Sequence, residues 1–469
     1  MKRHMIFAMV TVLATVMLCS CAGTENASEV QTDGSAAMTS TTMASITTNE
    51  EVTSSSTTAE AETVSAEAET AAETVRLFDI DIPIDEVEVD LQFDADTDIS
   101  EIVRLDKTRA VTIEGNRNNP IHLTGTECLA ELDELHTLCI LYCTLDDLSF
   151  LEKLDNLEYL QLYKCEILNE TDINLNRLNK LNTMLLSDNS MSRVDFIHDL
   201  PSLSELQLTN NRISDVGALK NLPALRYINL YNNKIESIPD TLAALPVLEN
   251  LRLSKNSITD VSPLKASHSI YTLDLSDNMI TDVSCLSSLT TLECMDLSGC
   301  LISDASQFAK LKKLRVLKLS DNPLTDISKL TGCTTLEVLV LDECKITDYS
   351  PLSTMISLEE LSICNAGLSD ISFVAPLANL HRIALSDNNI SDISPLADKG
   401  YNLVILENNR ITDLSALYDA EKGITEYPEI YLYGNPLKKE AVEQLISEVD
   451  GYFSGRVYFE ETYAETIST

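Results

Sequence analysis

The sequence predicts an α/β solenoid: a long stack of short parallel strands, with brief helical turns on the opposite side. Three observations carry this. First, the pattern L-x-x-L-x-L-x-x-N-x-I recurs in phase fourteen times between Leu135 and Tyr427, mostly in steps of 22 residues. A period of that length marks an array of structural repeats. Second, apolar residues inside each unit alternate with period 2, as Leu273 and Leu275 do, which is the period of a strand. Third, 44% of the 469 residues are hydrophobic but only 5% are aromatic and none is Trp, so the core has to be aliphatic. No single unit can bury its own apolar face, and stacking supplies the core.

The charge narrows the function. Lys and Arg number 33 against 74 Asp and Glu, a net charge of −41. Nucleic acid and anionic lipid surfaces are bound through basic patches, so neither is an expected partner.

Taken in order, residues 1–20 read as an export signal. Lys2 and Arg3 precede an apolar run from Met5 to Leu18, too short to span a bilayer comfortably. The ending Leu18-Cys19-Ser20-Cys21 resembles the lipobox of bacterial lipoproteins. That resemblance implies that Cys21 carries lipid and becomes the mature N-terminus; Cys19 departs from the small residue usual there. An ordinary secretory signal is the plainer alternative. From Ala22 to Val75 the chain has no Lys, Arg, Pro or aromatic residue and is mostly Ser, Thr, Ala and Glu. Such a segment buries too little to offset chain entropy, so 21–75 is expected to be a lipidated tether spanning on the order of 40 Å.

Residues 76–134 are expected to cap the first repeat. They hold a strand-like Glu86–Phe93, a short helix over Asp98–Leu105 and a degenerate unit at Val111-x-Ile113-x-x-Asn116. The repeats occupy 135–436. A C-terminal cap and tail follow over 437–469, with a helical pattern at Leu437, Ala441, Val442, Leu445 and Ile446 and a strand near Arg456.

The repeat resembles the leucine-rich repeat family, and its tail, Ile390 to Leu396 (I-S-D-I-S-P-L), resembles the internalin-like bacterial subclass. The resemblance implies a leucine-rich repeat horseshoe with a concave parallel β-sheet and short helical turns on the convex side. A recurring asparagine (Asn189, Asn211, Asn233, Asn256, Asn278, Asn322, Asn388, Asn409, Asn435) falls where the chain turns inward. A buried amide there satisfies backbone groups that would otherwise be stranded. Four units carry Cys in that slot: Cys143, Cys165, Cys300 and Cys344. Asp282 and its counterparts precede a Ser expected to cap the outer turn, often with Pro next. A carboxylate repeated ten times is a building part.

Nothing points to catalysis. The chain has no H-E-x-x-H, G-x-S-x-G, P-loop or G-x-G-x-x-G motif, its histidines share no repeat column, and no metal or cofactor is implied. An exported chain invites a disulfide, and Cys143 and Cys165, one strand step of about 5 Å apart, are the in-slot pair near enough. Free buried thiols are the alternative.

What remains is surface. Outward strand positions place Tyr159, Gln161 and Tyr163 in one unit and Tyr227, Asn229 and Tyr231 three units on, with Leu185, Glu205, Gln207 and Arg252 beside them. Aromatic faces with amides suit a protein loop or a sugar, although tyrosine also simply tolerates half-exposed strand positions. Asp274, Asp277 and Asp296 form an acidic patch that either receives a basic segment or is merely solvated. The expected function is therefore that of a lipid-anchored protein on the outer face of a bacterial cytoplasmic membrane, binding a protein or glycan partner through its concave face. An envelope scaffold without external ligand is one alternative. A hydrolase in the N-terminal cap, where only His122 and Cys128 are available, is another.

Overall fold

The computed structural model describes residues 74–459 apart from 79, 85, 170–172, 419–428 and 451–455. The export signal, Cys21, the tether and Tyr427 lie outside the described residues. Seventeen strands form one parallel sheet in sequence order, from Glu88–Gln92 to Arg456–Tyr458. Neighbours pair in a register that advances one repeat at a time, so Leu251, Leu273 and Met295 stand side by side. All three are essentially inaccessible, because period-2 alternation turns them into the core. Near the end of the array Tyr401 takes the place of the leading Leu and is buried as well.

The slot asparagines join successive repeats. Asn322 accepts the amide of Ile302 on Oδ1 at 2.9 Å and donates through Nδ2 to the carbonyls of Leu297 and Leu319 at 2.9 and 3.0 Å. Where the slot holds Cys, a thiol donates in place of the amide, as Cys344 does to Leu319 O at 3.2 Å. Cys143 and Cys165 stand as two thiols with no disulfide between them.

The outer turns are 3-10 helices, among them Ser262–Ala266, Ser284–Ser288, Ser306–Lys310 and Ser350–Thr354. Their capping differs from the expectation. The serine is the first helical residue and caps nothing with its hydroxyl. The preceding aspartate does that work: Asp282 Oδ1 accepts the amide of Ser284 at 2.8 Å, and Asp260, Asp304, Asp326, Asp348, Asp370, Asp392 and Asp413 repeat the bond. A one-turn helix leaves its first N–H groups unpaired, and a carboxylate two residues ahead reaches them where a side chain on the helix itself cannot.

At the N-terminus the sheet extends into the segment expected to be a cap. Glu88–Gln92 and Ala110–Glu114 are two more strands, paired in register with each other and with Thr137–Leu141. The cap proper is an antiparallel hairpin, Thr74–Leu77 with Ile80–Pro83, which buries Val75, Leu77 and Ile82. The first four units also carry a second parallel sheet behind the main one, formed by Thr97–Asp98, Ile121–Thr124, Cys143–Leu145 and Glu166–Ile167. At the other end the helix Lys439–Asp450 buries Val442 and Leu445, and Tyr418 donates to the Ala441 carbonyl at 3.2 Å.

Candidate ligand-binding face

The strand register sets the face. Tyr159, Thr183, Glu205, Tyr227 and Asn250 form one column across adjacent strands; Gln161, Leu185, Gln207, Asn229 and Arg252 form the next. Each flanks a fully buried partner (Leu160, Met184, Leu206, Ile228, Leu251) and so points to the opposite side of the sheet. Tyr163 and Tyr231 lie two residues further on. The structure thus brings Tyr159, Gln161, Tyr163, Gln207, Tyr227, Asn229, Tyr231 and Arg252 onto one face, every one half-buried. Three strand steps, about 14 Å, separate the two tyrosine pairs.

Local bonds hold these side chains in place. Tyr159 donates to Gln161 Oε1 at 3.2 Å, Gln207 to Glu205 Oε1 at 2.7 Å, and the Tyr231 amide to Asn229 Oδ1 at 3.0 Å. Cations lie over the rings: Arg252 is 5.8 Å from the Tyr227 centroid, Lys255 5.2 Å from Tyr231 and Lys164 5.4 Å from Tyr163. Tyr142 packs edge-on against Tyr163 at 5.7 Å beneath Arg117. A hydrogen bond from Lys255 to Tyr231 holds that ammonium above its ordinary value, so it stays charged. Burial pushes Tyr159 up to about 12, so it remains a neutral phenol.

Tyr142, Lys164 and Lys255 were not anticipated, yet their place was readable. Each immediately precedes a slot residue (Cys143, Cys165, Asn256), in a column of left-handed backbone that follows the strand. Asn250 was also missed; it is 7% exposed on the same face and its Oδ1 has no partner among the described residues.

The acidic patch is less open than its sequence suggests. Asp274 accepts hydrogen bonds from Ser254 Oγ at 2.8 Å and Ser276 Oγ at 2.7 Å, and Asp296 pairs with Lys318 at 2.9 Å. Both carboxylates are occupied within the protein: Asp274 by Ser276 two residues on and Ser254 on the preceding repeat, and Asp296 by Lys318 in its own column one strand away. Asp277 stays exposed.

Among the described residues His122 and Cys128, the two available to an N-terminal hydrolase, do not bond to each other, and neither Cys139 nor Cys294 on this face is activated. Burial pushes the thiols of Cys139 and Cys294 up to about 11, which keeps them protonated. In the N-terminal units His122 bonds to Asp146 at 3.0 Å, whereas Cys128 donates to the Ile99 carbonyl at 3.4 Å and is pushed up to about 12 by burial.

Comparisons with known proteins agree with this architecture. A family described as leucine rich repeats (2 copies) matches residues 201–246, 246–288 and 290–332. An internalin of Listeria monocytogenes, InlF, is similar in structure, with 25% identity over 68% of this chain and 87% of that one and a TM-score of 0.52. A leucine-rich repeat protein of Leptospira interrogans shares the fold at 19% identity, over 77% of this chain and 91% of that one, with a TM-score of 0.55. The functional domain of Listeria monocytogenes InlJ, which includes a cysteine ladder, shares it at 20% identity, over 73% and 74% of the two chains, with a TM-score of 0.54. The search of curated proteins returned no significant match.

Proposed function

Starting from a leucine-rich repeat solenoid that resembles bacterial internalins, we propose that this protein binds a protein partner through the tyrosine-bearing half of its concave face. The observation that carries the reading is the concentration of Tyr142, Tyr159, Tyr163, Tyr227 and Tyr231 on one face of a chain that is 5% aromatic. Rings with two stiff torsions, amide neighbours and cations over their faces are the chemistry of interface anchors. The spread of the site over several strands favours an extended protein surface over a small sugar. The lipobox resemblance and the polar tract after it support anchorage through Cys21 on the outer face of the cytoplasmic membrane.

The test is capture by the intact protein from envelope extract and, separately, from host-cell and glycan preparations. A Tyr159→Ala/Tyr231→Ala variant should bind the captured partner about 30-fold more weakly, the effect of losing about 2 kcal/mol of anchor. A partner held equally by both places the site elsewhere. Capture of a glycan alone rejects the protein reading.

A further inference from the structure

The C-terminal half of the same face has the opposite character. Val316, Val338 and Val340 cluster on adjacent strands, four strand steps beyond Tyr227. Past an ion pair between Glu360 and Arg382 at 3.3 Å come Ala384, Leu403 and Ile405, with Tyr431 against them. A line of acids follows one edge of this apolar floor. Asp321, Glu343 and Asp387 are exposed in the left-handed column, and Glu407 lies one residue inward; the buried Asp342, also one residue inward, is taken up by Ser362 Oγ at 2.6 Å and the Cys364 amide at 2.7 Å. Nearby cations are engaged elsewhere: Lys318 with Asp296, Arg315 with Glu337, Arg382 with Glu360. Among the described residues no Lys or Arg forms an ion pair with those five acids. Burial raises both Asp342 and Glu407, and the charge of Asp387 raises Glu407 further. Among them sits Ser386, fully buried on the same strand edge, its hydroxyl without a partner among the described residues.

We propose that this half of the concave face docks a basic segment of a protein partner, with lysines or arginines along the acid edge and apolar side chains on the floor. A metal ion is a poorer occupant, since no three ligating groups converge among the described residues. The floor valines are only 5–6% exposed, so covering them releases little further area. Attraction therefore comes mainly from charge, and binding should weaken steeply with salt. From Val316 to Leu403 is four strand steps, about 19 Å. That is the length of about 13 helical residues. The surface is separate from the tyrosine half, and either can fail without the other.

The test uses the intact protein and a fluorescein-labelled Leu/Lys peptide of about 14 residues in amphipathic helical order. A scrambled peptide of the same composition and a Leu/Glu counterpart serve as controls, all read by anisotropy. The ordered Leu/Lys peptide should bind and the Leu/Glu peptide should not. Neutralising the edge with Asp321→Asn/Glu343→Gln/Asp387→Asn/Glu407→Gln should weaken binding about tenfold or more. The same charge change at exposed Glu101, Asp106, Glu127 and Glu131 should move it less than about twofold. Val340→Lys should also cost about tenfold, read on variant protein whose circular dichroism at the assay temperature matches the parent. Equal losses from the two acid sets, or equal binding of the scrambled peptide, would mean attraction to net charge alone and would overturn the proposal. Binding should persist in the Tyr159→Ala/Tyr231→Ala variant; its loss there would also overturn the assignment.

Discussion

Asn278 closes the repeat before its own: its Oδ1 accepts the amide of Ile258, twenty residues earlier, at 2.9 Å. Its Nδ2 donates to the carbonyls of Leu253 at 2.9 Å and Leu275 at 3.0 Å. One amide thus serves backbone groups from two repeats in a buried position. Asn278→Ala should lower stability by about 1–3 kcal/mol by stranding them. Asn278→Cys should cost less, because a thiol in the slot still donates, as Cys300 does to the Leu275 carbonyl at 3.4 Å. Denaturant titration of the two variants gives the ranking, and a cysteine variant no better than alanine would refute this account.

The inner and outer faces of one strand should respond differently. Leu160 is wholly buried, so Leu160→Ala should cost about 2–5 kcal/mol through lost contacts and a cavity. Tyr159→Ala, its neighbour on the other face, should stay within about 1 kcal/mol. Similar losses for both would mean that Tyr159 belongs to the core.

Acid should loosen the outer turns. Hydrogen bonds from the backbone of Ser284, Ser328, Ser394 and Ser415 hold Asp282, Asp326, Asp392 and Asp413 below the usual carboxylate value. A depressed folded value stabilises above the unfolded value of about 3.9, and that contribution fades as pH falls through the folded one. Asp342 and Glu407 are raised and oppose the trend, becoming less unfavourable as they protonate. Among the described residues eight carboxylates are lowered, the four above with Asp98, Asp195, Asp199 and Asp348, against four raised, Asp342 and Glu407 with Asp277 and Glu360, so the melting temperature should drop below about pH 4. The gap between the parent and Asp282→Asn should close over that range. A gap equally wide at neutral and acid pH would show that ionisation is not its source.

The slot thiols should be unreactive while the chain is folded. Burial pushes Cys143 up to about 12 and Cys165, Cys300 and Cys344 up to about 11, leaving very little thiolate at pH 8. Mass spectrometry after iodoacetamide treatment should find them protected in native protein and modified in denaturant. Rapid native labelling of Cys165 would contradict the packing.

Anchorage is tested at one residue. Cys21→Ala should release the protein from membranes or leave its signal unprocessed. Membrane fractionation identical to the parent would rule out lipid at Cys21.

The sequence by itself determined what depends on local order. A 22-residue period with Leu at fixed offsets shows which side chains face inward, and hence that Tyr159 and Tyr227 share the outer column. It also marked Asn278 as structural, because a residue that recurs in the same slot of nine units cannot be specific to one site. What lies between repeats needed the tertiary structure. The strand-like Glu86–Phe93 and the degenerate unit at Val111 were legible as strands, but both carry too little of the leucine pattern to be separated from a cap. Only the register of Glu88–Gln92 with Ala110–Glu114, and of that strand with Thr137–Leu141, shows them as part of the main sheet. The same holds for Asp296 and Lys318, for Asp274 and the serines that occupy it, and for Arg252 over Tyr227. Apart from Ser276, which bonds Asp274 from two residues further along the chain, each partner is about one repeat away along the chain and comes within bonding or stacking reach across the sheet. Periodicity sets the column a side chain occupies, but the partner it meets depends on how far it reaches across the spacing between strands.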